Sequence, residues 1–149
     1  MLQIAFYRGR TQFFDRMIQW WMRGPYSHCE LVLDTKIVKG SQSSLCLSAS
    51  RRDGGVRCKW IDLSSGHWDL VDVEGSRVVA LEWLSKHKHA KYDYLGLFGF
   101  IFRRIGPERS RFLCSSAVAA MLGFDAGWRF DPNALYTAVY RDRRRVRPK

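Results

Sequence analysis

Two residues of the chain have the side chains that a thiol hydrolase requires, although they lie far apart in the sequence. Cys114 stands in FLCSSAVAAMLG, at the predicted first turn of a short helix, where the helix dipole favours the nucleophilic thiolate. His28, in PYSHCELVLD, is the strongest candidate for the base that keeps the thiol ionised and later protonates a leaving group. The sequence therefore predicts a Cys-His pair, provided that the fold brings the two side chains together.

A third polar group is needed to orient the imidazole, and the sequence offers two candidates. Glu30 lies two residues after His28 on a predicted strand, so both side chains project from the same face. A carboxylate at that place would favour the imidazolium. Ser50, at the end of the next predicted strand, is the alternative.

Two other cysteines are not expected to take part in the site. Cys29 directly follows His28, so we expect its side chain on the opposite face of the strand. We likewise expect no part for Cys58.

Both members of the pair also have a structural interpretation. Cys114 shares a predicted helical face with three apolar residues at i+3, i+4 and i+7, which are Ala117, Val118 and Met121. A cysteine on such a face is typical of a small core residue. His28 stands between a turn and a strand, where a single histidine is often structural. Spacing alone is therefore compatible with two roles for Cys114, a buried core thiol or a nucleophile.

The order of the predicted elements indicates an α+β domain. A short strand over 3–7 and an amphipathic helix in TQFFDRMIQWWMRGP come first. Four strands follow, in CELVLD, LCLSAS, VRCKWIDL and WDLVDV, with a turn signal at Asp53-Gly54. The second half is predicted to hold four helices: one capped by Ser76 and ending near His87, one over 92–102, one from Cys114 to Gly123, and one opened by Asp131-Pro132. Strands grouped before helices favour α+β over alternating βαβ units.

Length and composition fit one domain with a real core. The chain has 149 residues, of which 46% are hydrophobic, and we expect the domain to cover residues 1–140. No apolar run reaches 18 residues, and the start of the chain has no signal-peptide pattern. The four cysteines show no metal-ligand spacing. We therefore expect a cytoplasmic protein with reduced thiols, no membrane span, no metal and no cofactor.

The net charge of +11 is the strongest compositional signal. Part of it lies in residues 141–149, RDRRRVRPK, where six basic residues and one acid give +5. Such a tail favours contact with a polyanion, such as nucleic acid, teichoic acid or anionic lipid, although a solvated tail is the alternative. A basic binding protein without catalytic activity is therefore a second functional hypothesis.

Three sequence blocks carry a resemblance to a known family. KYDYLGLFGF and RFLCSSAVAAMLG in the second half, with YSHCELVLD in the first, resemble the circularly permuted branch of the NlpC/P60 papain-like superfamily, which includes YiiX-like proteins. In the ordinary order, the cysteine helix precedes the strand that begins with histidine; here the two blocks are swapped. The chain also resembles small phage-encoded proteins with SHxELVF, RDGGVR, YDWLGLLGF and CSE-type blocks, over roughly residues 3–140.

The resemblance implies a permuted papain-like fold, with an antiparallel sheet packed against helices, and the activity of a cysteine amidase or peptidase. It implies that Cys114 is the nucleophile and His28 the base. Tyr92 matches the tyrosine that precedes the cysteine helix and helps to position the substrate carbonyl. Ser50 matches a place where the family often has a polar group, so we expect it beside the substrate. The implied substrates are peptidoglycan peptides or, as in permuted relatives, acyl compounds, and a phage-encoded protein would act in the host cell.

Overall fold

A seven-stranded sheet forms the centre of the protein, which we describe from a computed structural model covering residues 1–38, 41–94 and 111–146. The strands are β1 (Leu2–Tyr7), β2 (His28–Val38), β3 (Ser41–Ser50), β4 (Gly55–Ile61), β5 (Trp68–Val73), β6 (Lys91–Tyr92) and β7 (Arg111–Phe112). Their spatial order is β5-β1-β2-β3-β4-β6-β7. All neighbouring strands are antiparallel except β6 and β7, which are parallel. The mixed α+β architecture that the sequence predicts is therefore confirmed.

Four helices accompany the sheet in the described part of the chain. They are α1 (Phe13–Trp21), α2 (Arg77–His87), α3 (Cys114–Met121) and α4 (Pro132–Val146), with a single 3-10 turn at Gly127–Arg129. The predicted boundary signals act as expected: the Ser76 hydroxyl accepts a hydrogen bond from the Val79 N–H at 3.5 Å, and Gly123 has a φ of +78° after α3. None of these helices is long and apolar enough to cross a membrane.

The main core lies between α3 and one face of the sheet. Along β2, Cys29, Leu31 and Leu33 are buried in this core, so the alternation of a strand places His28 and Glu30 on the other face. Leu31 pairs with Leu47 of β3, and both side chains are fully buried. Seven of the eight residues of α3 are buried as well. Strand β2 therefore has one face toward α3, and its other face presents His28 and Glu30 next to Val32, which belongs to a second, smaller apolar cluster.

Three boundaries differ from the sequence prediction. Strands β2 and β3 are longer than the predicted segments CELVLD and LCLSAS, because their antiparallel pairing continues through Ile37 and Gln42. The helix predicted over 92–102 does not include Tyr92, since its N–H donates to the Gly54 carbonyl at 2.9 Å and it forms β6; residues 95–102 lie outside the described residues. Helix α4 continues past 141 into the predicted tail, because no helix-breaking residue occurs before Pro148.

Candidate active site

The first turn of α3 places Cys114 at an open helix N-terminus. The Ser116 hydroxyl accepts a hydrogen bond from the Leu113 N–H at 2.9 Å and donates one to the Leu113 carbonyl at 3.0 Å. The first helical hydrogen bond runs from the Ala117 N–H to the same carbonyl at 2.9 Å. The amides of the first turn, including that of Cys114, therefore have no partner further back in the helix. Such amides stabilise negative charge near the Cys114 sulfur.

The fold brings Cys114 and His28 together across a sequence separation of 86 residues (114 − 28). The Nε2 atom of His28 lies 2.6 Å from Oε1 of Glu30, and the ring also shares a hydrogen bond with the Cys114 thiol. Because Nε2 is already engaged, Nδ1 is the ring nitrogen that serves Cys114. Cys114, His28 and Glu30 thus form one continuous chain of hydrogen bonds. Its first residue belongs to α3 and its other two to β2.

The electrostatics of this chain favour an ion pair between thiolate and imidazolium. A hydrogen bond from the Cys29 side chain lowers the pKa of Cys114; burial opposes this, and the positive charge of His28 and its hydrogen bond lower the pKa further, to well below its usual range. Burial by itself would lower the pKa of His28, but the negative charges of Cys114 and Glu30 outweigh it and raise that pKa to about 10. These opposite shifts favour the thiolate form of Cys114 together with the protonated form of His28.

Cys29 lies beside this site and interacts with Cys114, although the sequence led us to expect no part for it. Its side chain does lie on the face opposite to His28, as the strand alternation requires. Because α3 packs on that face, the Cys29 thiol meets Cys114. Burial, followed by the hydrogen bond to Cys114 and its negative charge, raises the pKa of Cys29 well above its usual range. Cys29 therefore remains a thiol and donates to the Cys114 thiolate.

Glu30 is held by a second buried charge, that of Arg57. The Glu30 side chain is 1% exposed, and both of its oxygens bind the guanidinium of Arg57, with Oε2 at 2.6 Å from Nη1 and Oε1 bound by Nη2. Burial raises the pKa of Glu30, but the charge of His28 and the hydrogen bonds from Arg57 outweigh it and lower the pKa below its usual value. Glu30 is therefore ionised and fixes the orientation of the His28 ring.

Neither Arg57 nor its second partner Asp53 was predicted from the sequence to belong to the site. Arg57 on β4 donates from Nε to Oδ2 of Asp53 at 2.9 Å, and the Lys59 ammonium binds the same carboxylate at 2.9 Å. A signal for a cation was present, because a carboxylate buried beside a histidine needs a counter-ion. The identity of that cation depends on the placement of β4 two strands away from β2, which strand patterns do not reveal.

Tyr92 and Ser50 both line the cleft into which His28 opens, a cavity of about 430 Å³. Burial, and next the charge of Cys114, raise the pKa of Tyr92 well above its usual range, so its hydroxyl stays protonated and is able to donate. The Ser50 hydroxyl accepts a hydrogen bond from the Asp53 N–H at 3.4 Å. The described residues show no hydrogen bond from Ser50 to His28, so the orienting position belongs to Glu30.

The walls of the cleft combine aromatic and basic side chains. The guanidinium of Arg51 lies 3.9 Å from the centre of the Phe14 ring, and this pair forms part of the wall. Further aromatic and basic residues that line the cleft are Trp60, Trp68, Arg52 and Lys59. This lining would suit an organic substrate that offers both apolar surface and polar groups.

In the described part of the chain, no group of three or more His, Cys, Asp or Glu residues is arranged to hold a metal ion.

Comparisons with known proteins identified no relative of this chain. No protein-family model matches it, and neither a curated protein nor a solved structure matches it.

Proposed function

We propose that the protein is a cysteine hydrolase with a permuted papain-like fold that cleaves amide or ester bonds. The observation that carries the proposal is the hydrogen-bonded chain of Cys114, His28 and Glu30, with a thiol pKa lowered and a histidine pKa raised. Shifts in opposite directions on a nucleophile and its partner, beside a cleft, are typical of catalytic pairs. A cysteine that served only the core would remain a thiol, as Cys46 does, because burial raises its pKa to about 12.

The proposed reaction has two steps. The Cys114 thiolate attacks the carbonyl carbon, and the proton on Nδ1 of His28 passes to the leaving amine or alcohol as its bond to carbon breaks. The resulting thioester is then attacked by water, whose proton returns to His28, and the carboxylic acid leaves as the thiolate is restored. The Cys114 N–H and the Tyr92 hydroxyl are the donors proposed for the oxyanion of both steps.

The permuted papain-like relationship rests on how the elements are arranged. The cysteine begins a helix that packs on an antiparallel sheet, and the histidine begins a strand of that sheet. The histidine strand precedes the cysteine helix in the chain, which is the swapped order of the family-like blocks. Peptidoglycan peptides and acyl compounds are the proposed substrates, because the resemblance implies them and the cleft has room for such groups.

The test uses an activated ester as a general acyl donor. With p-nitrophenyl acetate, we expect p-nitrophenol to be released and an acetyl group to be found on Cys114 by peptide mass spectrometry. Cys114→Ala should abolish both, and Cys58→Ala, which removes a half-buried thiol of another strand, should change neither. His28→Gln should lower the rate by about 10²-fold or more. Release that survives Cys114→Ala would contradict the proposal.

A second candidate function is binding of a polyanion by an inactive form of this scaffold. It is favoured by the net charge of +11 and by cations that lie against exposed aromatic rings. The Lys36 ammonium is 5.0 Å from the centre of the Trp60 ring, which is 44% exposed. Aromatic and basic side chains side by side suit both bases and phosphates.

A further inference from the structure

Two buried oxygens in the cleft lack the hydrogen bonds that buried polar groups normally make. They are Oδ2 of Asp15 on α1 and Oγ of Ser27, directly before β2, and neither has a partner. Asp15 is 9% exposed and Ser27 is 6% exposed, and both line the same cleft as His28. Leaving such groups without partners is costly, so two of them lining one cleft indicate a missing ligand.

We propose that Asp15 and Ser27 bind a positively charged amino group of the substrate, an inference that rests on the proposed hydrolase function. A carboxylate only accepts hydrogen bonds, whereas an ammonium offers three donors and supplies the opposite charge. Three basic residues of the cleft have other contacts: Arg57 and Lys59 bind Glu30 and Asp53, and the Arg51 guanidinium lies on the Phe14 ring. A substrate with a free amine would satisfy both unpaired oxygens at once.

The position of Asp15 in a helix does not account for these observations. Asp15 lies in the first turn of α1, where the helix dipole favours a negative charge. That effect is equally available to an exposed carboxylate, so it does not explain why an oxygen is buried without a partner. It also does not concern Ser27, which belongs to a different segment and lines the same cleft.

The segments that carry the two residues are held firmly with respect to each other. The Gln19 side chain of α1 donates to the Pro25 carbonyl at 2.7 Å and to the Gly9 carbonyl at 3.1 Å. The Ser27 N–H donates to the Tyr7 carbonyl at 3.0 Å. These bonds connect α1, β1 and the segment before His28, so the segments that carry Asp15 and Ser27 to the cleft are preorganised.

The test compares matched alkylating agents that differ only at the terminal nitrogen, which is either a free, positively charged amine or an acetylated, neutral amide. Alanyl and alanyl-alanyl chloromethyl ketones are each used with a free and with an N-acetylated terminus, at pH 6.5, where a free amine is protonated. The thiolate forms a carbon–sulfur bond and chloride leaves, and mass spectrometry measures the rate at Cys114. We expect the free amine to react at least about tenfold faster for one of the two lengths, as a charge-assisted hydrogen bond provides.

The variants assign that preference to the two residues. Asp15→Asn, which keeps the size of the side chain, should bring the ratio of rates close to one, and Ser27→Ala should reduce it. Asp125→Asn removes an equal charge at an exposed position outside the cleft and should leave the ratio unchanged. If Asp15→Asn does not fold, the Ser27→Ala ratio decides alone.

The experiment distinguishes failure of the amine-binding proposal from failure of the proposed hydrolase function. Equal rates for free and acetylated agents at both lengths, or a preference that survives in the folded variants, would overturn the inference. Failure of every agent to label Cys114 would instead contradict the proposed hydrolase.

Discussion

Charges of alternating sign extend from the buried nucleophile to the exposed Asp53 and Lys59 at the protein surface. The series consists of the thiolate of Cys114, the imidazolium of His28, the carboxylate of Glu30, the guanidinium of Arg57, the carboxylate of Asp53 and the ammonium of Lys59. Each buried charge is compensated by its neighbours, so the removal of one leaves another unpaired. The ion pair at the cysteine therefore depends on residues that never touch the substrate.

Glu30→Gln tests this dependence. The amide keeps the size of the side chain but leaves the buried Arg57 without one of its two carboxylates. We expect the free energy of unfolding to fall by about 3–5 kcal/mol, as for other broken buried ion pairs. The rate of Cys114 alkylation at pH 6 should also fall, because His28 loses the charge that helps to keep it protonated. Urea denaturation and mass spectrometry measure the two effects.

The double variant Glu30→Gln/Arg57→Met is the matched control. Replacing the uncompensated guanidinium with an apolar side chain should recover part of the lost stability. It should not restore alkylation at pH 6, since the carboxylate is still absent. A Glu30→Gln protein with unchanged stability and unchanged alkylation would show that Glu30 does not position His28.

At this scale, the sequence predicted the residues whose roles follow from their own chemistry and their neighbours along the strand. Glu30 was predicted from its two-residue spacing to His28, and the structure places its carboxylate on the ring. Cys29 and Arg57 were not found, because their roles depend on which helix packs on β2 and which strand lies two places away. Both depend on the tertiary arrangement of the elements, which hydrophobic periodicity along the sequence does not predict.

At the scale of elements, the two-residue strand β6 positions Tyr92 beside the cysteine. Gly55 at the start of β4 pairs with Lys91, and the Val56 N–H donates to the Ala90 carbonyl at 3.0 Å. A Cβ atom on Gly55 would lie 2.2 Å from that carbonyl oxygen. Only glycine therefore allows β6 to approach β4 closely enough for this pairing.

Gly55→Ala is expected to push β6 away from β4. The clash is with backbone atoms, so we expect a loss of about 2–3 kcal/mol in the free energy of unfolding, together with slower ester hydrolysis as Tyr92 moves. Gly54→Ala is the control, since its Cβ would meet no atom within 4 Å and only its φ of +78° is unfavourable; it should cost about 1 kcal/mol. Urea denaturation that gives Gly55→Ala the smaller loss would contradict this account of β6.

The sequence predicted the longer elements better than this short strand. Helix α2 and strand β5 were found because caps, turn residues and alternation all agree over six or more residues. A strand of two residues has no periodicity to detect, and Tyr92 therefore merged with the apolar segment that follows it. The site also depends on the packing of α3 on β2, and the sequence of neither segment by itself predicts that packing.

At the scale of the whole molecule, charge rather than burial distinguishes Cys114 from the other three thiols. Cys114 is itself only 5% exposed, but its pKa is lowered, whereas the pKa values of Cys29, Cys46 and Cys58 are raised. Cys29 and Cys46 are fully buried, and burial raises the pKa of Cys46 to about 12. Iodoacetamide at pH 7 should therefore label Cys114 of the native protein ahead of the other cysteines. In urea, all four should react at similar rates. Equal labelling of the four thiols in the native protein would contradict the account.

The net charge of +11 makes a separate prediction. Binding of any single-stranded nucleic acid should weaken at least about tenfold between roughly 50 and 200 mM salt, because such contacts release counter-ions. Hydrolysis of the uncharged p-nitrophenyl ester should change little over the same range. Fluorescence anisotropy measures the binding, and removal of residues 141–149 should weaken it further. Binding that does not depend on salt would exclude the electrostatic explanation.

We propose that His28 keeps Cys114 ionised, and the decisive measurement is the pH dependence of the rate of Cys114 alkylation. The thiolate fraction rises with pH, so a lowered pKa moves this rise to lower pH. Between pH 6 and 8 the rate should stay on its plateau, whereas an ordinary thiol with a pKa of about 8.5 would be roughly 300-fold below its plateau at pH 6. In His28→Gln, the rise should move to about pH 8.5 or above. A wild-type profile that rises tenfold per pH unit up to about 8.5, or one that His28→Gln leaves unchanged, would contradict the claim.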